Sequence, residues 1–365
     1  MEANDGAPSL KAVDCTDPPS AQDLPNTSPE HSVGPRVSMV PEESADGAEH
    51  PNERKKLDAY EIDELEIPDC DSEDIDLEHC RIKSVNHLHR FPNVKRLCLR
   101  NNLLKKLENF DPVASNLTEL DVYDNQITTI ENLDCLSLLI SLDLSFNRIK
   151  HITNLSSLIN LKKLFLVNNR IGKIENLDGL IQLDMLELGS NKIRKLENVD
   201  HLVSLTQLYL GKNKITAIEN LDSLVNLTLL SIQGNRITKI CGLDRLVNLE
   251  QLYLSENGIQ QIEGLDNLRK LQILDLACNF ISQIENIGHL DQLEEFWFND
   301  NKVSGWDQID KLTVLRNLRT LYMERNPIYF TTADRSKQDP NYRRKIMLTL
   351  PNLRQLDANL TGVGL

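Results

Sequence analysis

The chain has 365 residues and a formal net charge of -15, from 40 basic and 55 acidic side chains. That balance argues against a nucleic-acid binder acting through net charge, which would normally be basic. Hydrophobic residues make up 40 % and aromatics only 5 %, while 61 residues are leucine. A core drawn mainly from one residue type implies a repeated environment rather than a varied interior. No apolar run approaches roughly 18 residues, so no membrane-spanning helix is expected. The start, Met1 to Cys15, carries Glu2, Asp5 and Asp14 and lacks the apolar stretch of a secretory signal. The seven cysteines are scattered and never form a CxxC pair. They read as small apolar fillers in a reducing compartment, not as disulfides or zinc ligands.

Residues 1–70 are rich in Pro, Ser, Asp and Glu and poor in large apolar groups. Such a segment buries too little surface to offset its ordering entropy, so a disordered acidic tail is expected. Residues 1–74 hold 20 acidic and 5 basic side chains, and the remaining 291 residues hold 35 of each. The entire net charge therefore belongs to the tail, which reads as a solubilising arm.

Residues 71–335 repeat. The pattern is LxxLxLxxNxIxxI, marked by Asn102, Asn125, Asn147, Asn169, Asn191, Asn213, Asn235, Asn257, Asn279, Asn301 and Asn326. From Asn125 to Asn301 every interval is 22 residues; the first interval is 23 and the last 25. An earlier unit with Cys80 at the Asn position brings the total to about twelve. In Leu142-Asp143-Leu144 alternation predicts a short strand with both leucines inward. Asn147 would then satisfy backbone groups left unpaired by the bend. No unit can bury its apolar edge alone, so stability must come from stacking. Twenty-two residues per coil leave room only for short 3-10 or irregular segments on the convex side. The expected fold is an α/β solenoid with a curved parallel β-sheet on its concave face and a C-terminal helical cap over 336–365. Pro340 and Pro351 bracket a helix over residues 340–350, with Ile346 and Leu350 on one face. The run Tyr342-Arg343-Arg344-Lys345 reads as a solvated face of that helix.

The residue between the two strand leucines should point to the concave side. Reading it off each unit gives Cys98, Asp121, Asp143, Phe165, Glu187, Tyr209, Ser231, Tyr253, Asp275, Trp297 and Tyr322. Five of these eleven are aromatic and four are carboxylates, in a chain with 17 aromatics in all. Aromatics at solvated positions suit a protein interface, where a few such residues supply most of the binding energy. Their spacing, mostly every second coil, speaks against ring stacking along the ladder. The acids predict a partner patch with Arg or Lys. A second stripe, Arg148, Arg170, Lys192, Lys214 and Arg236, follows the ladder asparagines and should run along one rim. It reads as a solvated edge, or as a weak contact for phosphate or an acidic partner. No Gly-rich phosphate loop, HExxH or GxSxG motif occurs, and the eight histidines do not cluster at metal spacing. The concave carboxylates look too regular and too exposed for a tuned acid–base pair. No catalysis, cofactor or metal is expected.

Several strings resemble a known family. They are Asp121-Val122-Tyr123-Asp124-Asn125, Lys163-Leu164-Phe165-Leu166-Val167-Asn168-Asn169, Glu187-Leu188-Gly189-Ser190-Asn191 and Glu295-Phe296-Trp297-Phe298-Asn299-Asp300. With Glu324-Arg325-Asn326-Pro327 and Tyr342-Arg343-Arg344-Lys345, they resemble the leucine-rich-repeat regulatory subunit 7 family of protein phosphatase 1, over about residues 74–357. The resemblance implies a non-enzymatic regulatory subunit that grips the phosphatase catalytic subunit with its concave face. The partner-binding residues it implies are Asp143, Phe165, Glu187, Tyr209, Asp275, Glu295, Trp297 and Tyr322; Tyr209 stands where phenylalanine is expected. It further implies location in nucleus and cytoplasm, and association with a small phosphatase inhibitor protein. Nucleic acid and membrane are not expected partners. The alternative is a repeat adaptor of an axonemal or spliceosomal assembly that binds no phosphatase.

Overall fold

The computed structural model describes residues 59–362. Each repeat contributes one three-residue strand: β1 (Asp74–Asp76), β2 (Arg96–Cys98), β3 (Glu119–Asp121), β4 (Ser141–Asp143), β5 (Lys163–Phe165) and β6 (Met185–Glu187). There follow β7 (Gln207–Tyr209), β8 (Leu229–Ser231), β9 (Gln251–Tyr253), β10 (Ile273–Asp275), β11 (Glu295–Trp297) and β12 (Thr320–Tyr322). A hairpin of β13 (Gln355–Leu356) and β14 (Asn359–Leu360) completes the sheet. Strands β1 to β13 stack in parallel and in sequence order, and β14 pairs antiparallel with β13. The register is the sequence period itself: Leu142 pairs with Leu164, and Leu164 with Leu186. One continuous column of buried Leu, Ile, Val and Phe fills the interior from Ile62 to Leu356.

The ladder asparagines join adjacent coils. Asn191 Oδ1 accepts the N–H of Ile171 at 3.0 Å, while its Nδ2 donates to the carbonyls of Leu166 at 2.8 Å and Leu188 at 3.1 Å. Asn169 and Asn147 repeat these contacts one and two coils earlier. The residue before each ladder Asn turns left-handed, as at Phe146 (φ 55) and Ser190 (φ 54). A second left-handed row, absent from the sequence reading, lies on the convex turns. It runs Asn132, Asn154, Asn176, Asn198, Asn220, Gly242, Gly264 and Asn286. Only Gly and, less easily, Asn adopt that conformation at low cost. Most of these asparagines also donate to the previous coil, as Asn198 does to the Ile174 carbonyl at 2.7 Å.

Removing one ladder amide strands a buried donor and two acceptors, each costing about 1–3 kcal/mol. Asn191→Ala should therefore destabilise the solenoid by about 3 kcal/mol, read as a lowered midpoint in urea unfolding. A change below about 1 kcal/mol would mean that water replaces the bridge.

The two irregular intervals have local causes. The 3-10 turn Asp111–Val113 sits within the interval of 23. The interval of 25 accommodates helix α1 (Asp307–Asp310) and the 3-10 turn Lys311–Val314.

The ends need two corrections. The boundary expected at residue 70 lies too far along the chain. Tyr60 bridges Ile82, the 3-10 turn Ile62–Glu64 follows, and Ile62 and Leu65 are buried. Arg90 ties this turn down by donating to the Ile62 carbonyl at 2.5 Å. Residues 59–70 thus cover the apolar end of the stack, while the rest of the expected tail, residues 1–58, lies outside the described residues. At the other end, helix α2 (Tyr342–Thr349) is shorter than the expected 340–350, since Asn341 is its N-cap and Leu350 its C-cap. Its basic run is not simply solvated. Arg343 donates to the Leu360 carbonyl at 2.6 Å, and Lys345 pairs with Asp339 at 3.1 Å and lies 4.3 Å from the Trp306 ring centre. These contacts seat the helix over the last coil and cover its edge.

Candidate functional site

The concave face gathers all eight implied partner residues. Asp143, Phe165, Glu187 and Tyr209 end the successive strands β4 to β7, so each stands beside the next in register. Asp275, Trp297 and Tyr322 end β10 to β12 in the same way, and Glu295 begins β11. Two side chains separate the halves, Ser231 and Tyr253, ending β8 and β9. Strand alternation alone puts these residues on one side, because the central residue of each strand is committed to the core.

The aromatics are held in place. Tyr209 donates from Oη to Gln207 Oε1 at 3.1 Å, and Tyr253 to Gln251 Oε1 at 3.0 Å. Trp297 Nε1 donates to Glu295 Oε2 at 3.2 Å. In each case the acceptor lies two residues earlier, on the same face. Tyr322 Oη accepts from Gln355 Nε2 at 2.6 Å. Rings fixed this way lose little rotamer entropy on binding.

Stacking along the ladder does occur, against expectation. Trp297 and Tyr322, on adjacent coils, meet edge-to-face with centroids 5.9 Å apart. Tyr253 and Trp297, two coils apart, meet at 6.0 Å. This second contact closes over the intervening Asp275, which is only 5 % exposed. Tyr253 (6 %) and Ser231 (2 %) are buried as well, so the stripe is not uniformly solvated. Curvature crowds side chains on the inner face, and large rings fill the space.

That crowding changes the acids. Burial first, then the Asp143 charge, pushes the Glu187 carboxyl up to about 7. Burial pushes Asp275 up to about 7 despite the Ala277 N–H it accepts at 3.0 Å. Asp121 rises to about 7, through burial and repulsion from Asp143; Arg100, 3.2 Å away, opposes the rise. Asp143 is raised too, chiefly by burial. Burial and the nearby Glu187 move the Tyr209 phenol up to about 12. The expectation of exposed, unperturbed carboxylates is thus overturned. Glu187 has no protein hydrogen-bond donor or ion-pair partner among the described residues; its charge faces desolvation and repulsion alone.

Several inner-face residues lie outside the eight. Arg100 stacks 4.2 Å from the Tyr123 ring centre, and Tyr123 packs on Phe146 at 4.7 Å. Tyr253 joins the two halves of the stripe. Its place in the same strand row was the available signal, as it was for Asp121. Among the described residues, no group of three or more His, Cys, Asp or Glu side chains is placed to hold a metal ion. Among them, too, no helix is long and apolar enough to cross a membrane.

Comparison with known proteins matches the repeats directly. A family profile described as "Leucine-rich repeat" matches residues 171–255, and one described as "Leucine Rich repeats (2 copies)" matches 247–289. The chain is a leucine-rich-repeat protein. Solved structures agree on the fold: an internalin from Listeria monocytogenes superposes with a TM-score of 0.60 at 24 % identity, covering 76 % of this chain and 84 % of that one. A Leptospira interrogans leucine-rich-repeat protein gives 0.58 at 20 %, covering 80 % and 84 %. Among relatives by sequence, "Protein phosphatase 1 regulatory subunit SDS22" of Schizosaccharomyces pombe is 43 % identical over 113 residues, 30 % of each chain. Human "Protein phosphatase 1 regulatory subunit 7" is 51 % identical over 56 residues, 15 % of this chain and 13 % of that one. The Caenorhabditis elegans homologue of the yeast protein is 43 % identical over 98 residues, 27 % of this chain and 28 % of that one. The matched stretches thus span under a third of these relatives' lengths. The resemblance carried by the concave strings is to the same regulatory-subunit family, whose named members are regulators and not enzymes.

Proposed function

We propose that the chain is a non-catalytic regulatory subunit that binds the catalytic subunit of protein phosphatase 1 on its acidic and aromatic concave face. The observation that carries this reading is Glu187. Its carboxylate is desolvated, repelled by Asp143 and matched by no cation of its own chain among the described residues, between the rings of Phe165 and Tyr209. Such a group gains most from a partner's Arg or Lys, and the flanking rings supply apolar contact. Asp143 extends the acidic side, while Glu295, Trp297 and Tyr322 form a second anchor. Asp275 lies beneath the Tyr253–Trp297 contact, so it acts on a partner through the field or after the rings part. The names of the relatives support the phosphatase as that partner. The same reading extends to control of the enzyme's activity, maturation or location, to residence in nucleus and cytoplasm, and to a ternary complex with a small inhibitor protein.

The test is capture of the catalytic subunit by the full chain and by a Glu187→Ala/Trp297→Ala double variant. Each anchor is worth about 2 kcal/mol, so capture at sub-micromolar concentrations should fall to background. Undiminished capture by a folded double variant would remove this face as the binding surface.

A further inference from the structure

The rim stripe has a partner within the same chain. Arg148, Arg170, Lys192, Lys214 and Arg236 follow the ladder asparagines of five successive coils, and all but the half-buried Lys214 are exposed. Lys150, Lys173, Arg194 and Lys195 add to the same edge, and Lys150, Arg170, Lys173 and Lys192 line one shallow hollow on it. None of the five stripe residues is in an ion pair among the described residues; nearby, only His151 with Glu175 and Lys239 with Glu263 are paired. The stripe has defined ends, since Gln126 precedes it and Gly258 and Phe280 follow it in the same row. Five aligned cations, each about 4.8 Å from the next, repel one another and attract a polyanion.

The same rim is where the described chain begins. Each stripe residue donates its backbone N–H to the preceding coil, as Arg148 does to Ile127 and Arg170 to Ile149, both at 2.8 Å. Toward the N-terminus the ladder continues through Gln126 to Leu104 and Leu103 to Ile82, and ends at Tyr60, whose carbonyl accepts from Lys83 at 3.1 Å. Residues 1–58 therefore join the solenoid on the basic edge, not on the acidic concave face. They hold 12 acidic and 5 basic side chains, and Glu42 to Glu53 carries five carboxylates with no Lys or Arg. Arg148 lies four rungs from Tyr60, about 19 Å, and Arg236 eight rungs, about 38 Å. Glu53 is six residues before Ala59 and Glu42 is 17, so extended chain reaches about 20 Å and about 58 Å. The acidic block thus spans the stripe in length as well as in charge.

We propose that the N-terminal segment folds back along the basic rim, with Glu42 to Glu53 lying across Arg148, Arg170, Lys192, Lys214 and Arg236. The clasp shields these cations from other polyanions. It leaves the concave face open, since the carboxylates there repel the segment, so the inference stands apart from the phosphatase reading.

The test is zero-length carbodiimide cross-linking of the full chain at low salt, with peptide mapping of the monomer. Links are expected from Glu42, Glu43, Asp46, Glu49 or Glu53 to Lys192 and Lys214, at least ~10-fold above links to the exposed Lys270 and Lys302. Salt at 1 M, where the screening length is about 3 Å, should suppress them. An Arg148→Glu/Arg170→Glu/Arg236→Glu variant keeps both lysine targets and changes only exposed side chains; with circular dichroism unchanged, it should lose the links. Links spread evenly over the control lysines, links only between molecules, or links surviving the triple reversal would each overturn the proposal. So would an absence of tail links combined with rim-dependent capture of a labelled oligoglutamate, which would assign the rim to another chain's acidic segment.

Discussion

Trp297→Ala is expected to weaken binding of the phosphatase catalytic subunit about 30-fold or more, a loss of about 2 kcal/mol. The ring is the middle of the triad Tyr253, Trp297 and Tyr322, with centroid separations of 6.0 and 5.9 Å. Its N–H is fixed by Glu295, so a partner meets a surface already in its bound arrangement. Truncation removes the largest apolar contact of this half and lets Tyr253 and Tyr322 relax. The fold should not suffer, because the core beneath is filled by Phe296 and Phe298 with the tryptophan on the other side of the strand. Titration calorimetry should therefore show the affinity loss, with a melting temperature within a degree or two of the wild type. An unchanged affinity would place the interface elsewhere on the solenoid.

The repeat was legible because its determinants are local and absolute. A coil that must return a strand to the same register every 22 residues tolerates no drift. The buried amide at its bend has only one chemical solution at most positions. Asn102 to Asn326 therefore marked β2 to β12 almost residue by residue. The convex Asn and Gly row was equally periodic, but Gly242 and Gly264 interrupt it, and its left-handed backbone has no hydrophobic signature. The N-terminal cap was missed because Ile62 and Leu65 sit in a segment whose composition is acidic throughout. Two side chains against an exposed core edge are enough to order it, and averaged composition does not register them.

The candidate site was legible in position but not in environment. Strand alternation put Asp143, Phe165, Glu187, Tyr209, Asp275, Trp297 and Tyr322 on one face. It could not say that Tyr253 and Trp297 meet over Asp275, because that contact depends on curvature and on rotamers set by Gln251 and Glu295. Exposure was therefore overestimated where the rings are largest, and the acidity of the buried carboxyls was missed with it. Charge repeats in the same way: the sequence period located the basic rim, but only the ladder ending at Tyr60 relates it to the acidic segment.

Glu187→Gln should make the free chain more stable and the complex weaker. A glutamate held at about 7 when folded, against about 4.3 when unfolded, contributes fully below the unfolded value, and the contribution is lost as pH rises through the folded one. The free wild-type chain should thus be less stable at pH 8 than at pH 5, with Asp121 and Asp275 acting in the same direction. Glutamine removes the Glu187 share, worth on the order of 2 kcal/mol at pH 8 once partial solvation is allowed for, and so raises the melting temperature there by several degrees. Binding runs the other way. A partner's Arg or Lys needs the ionised carboxylate, so wild-type affinity should rise between pH 6 and pH 8. The Glu187→Gln variant should bind roughly tenfold more weakly at pH 8 and show a flatter dependence. The difference between the two chains cancels the titration of the phosphatase itself. Equal pH slopes for both would show that Glu187 is not the group being neutralised. A stabilised chain with unchanged affinity would leave the strain at this carboxylate without a role in binding. The predicted pairing, stability gained and affinity lost from one oxygen-to-amide exchange, is what separates a charge kept for a partner from one kept for the fold.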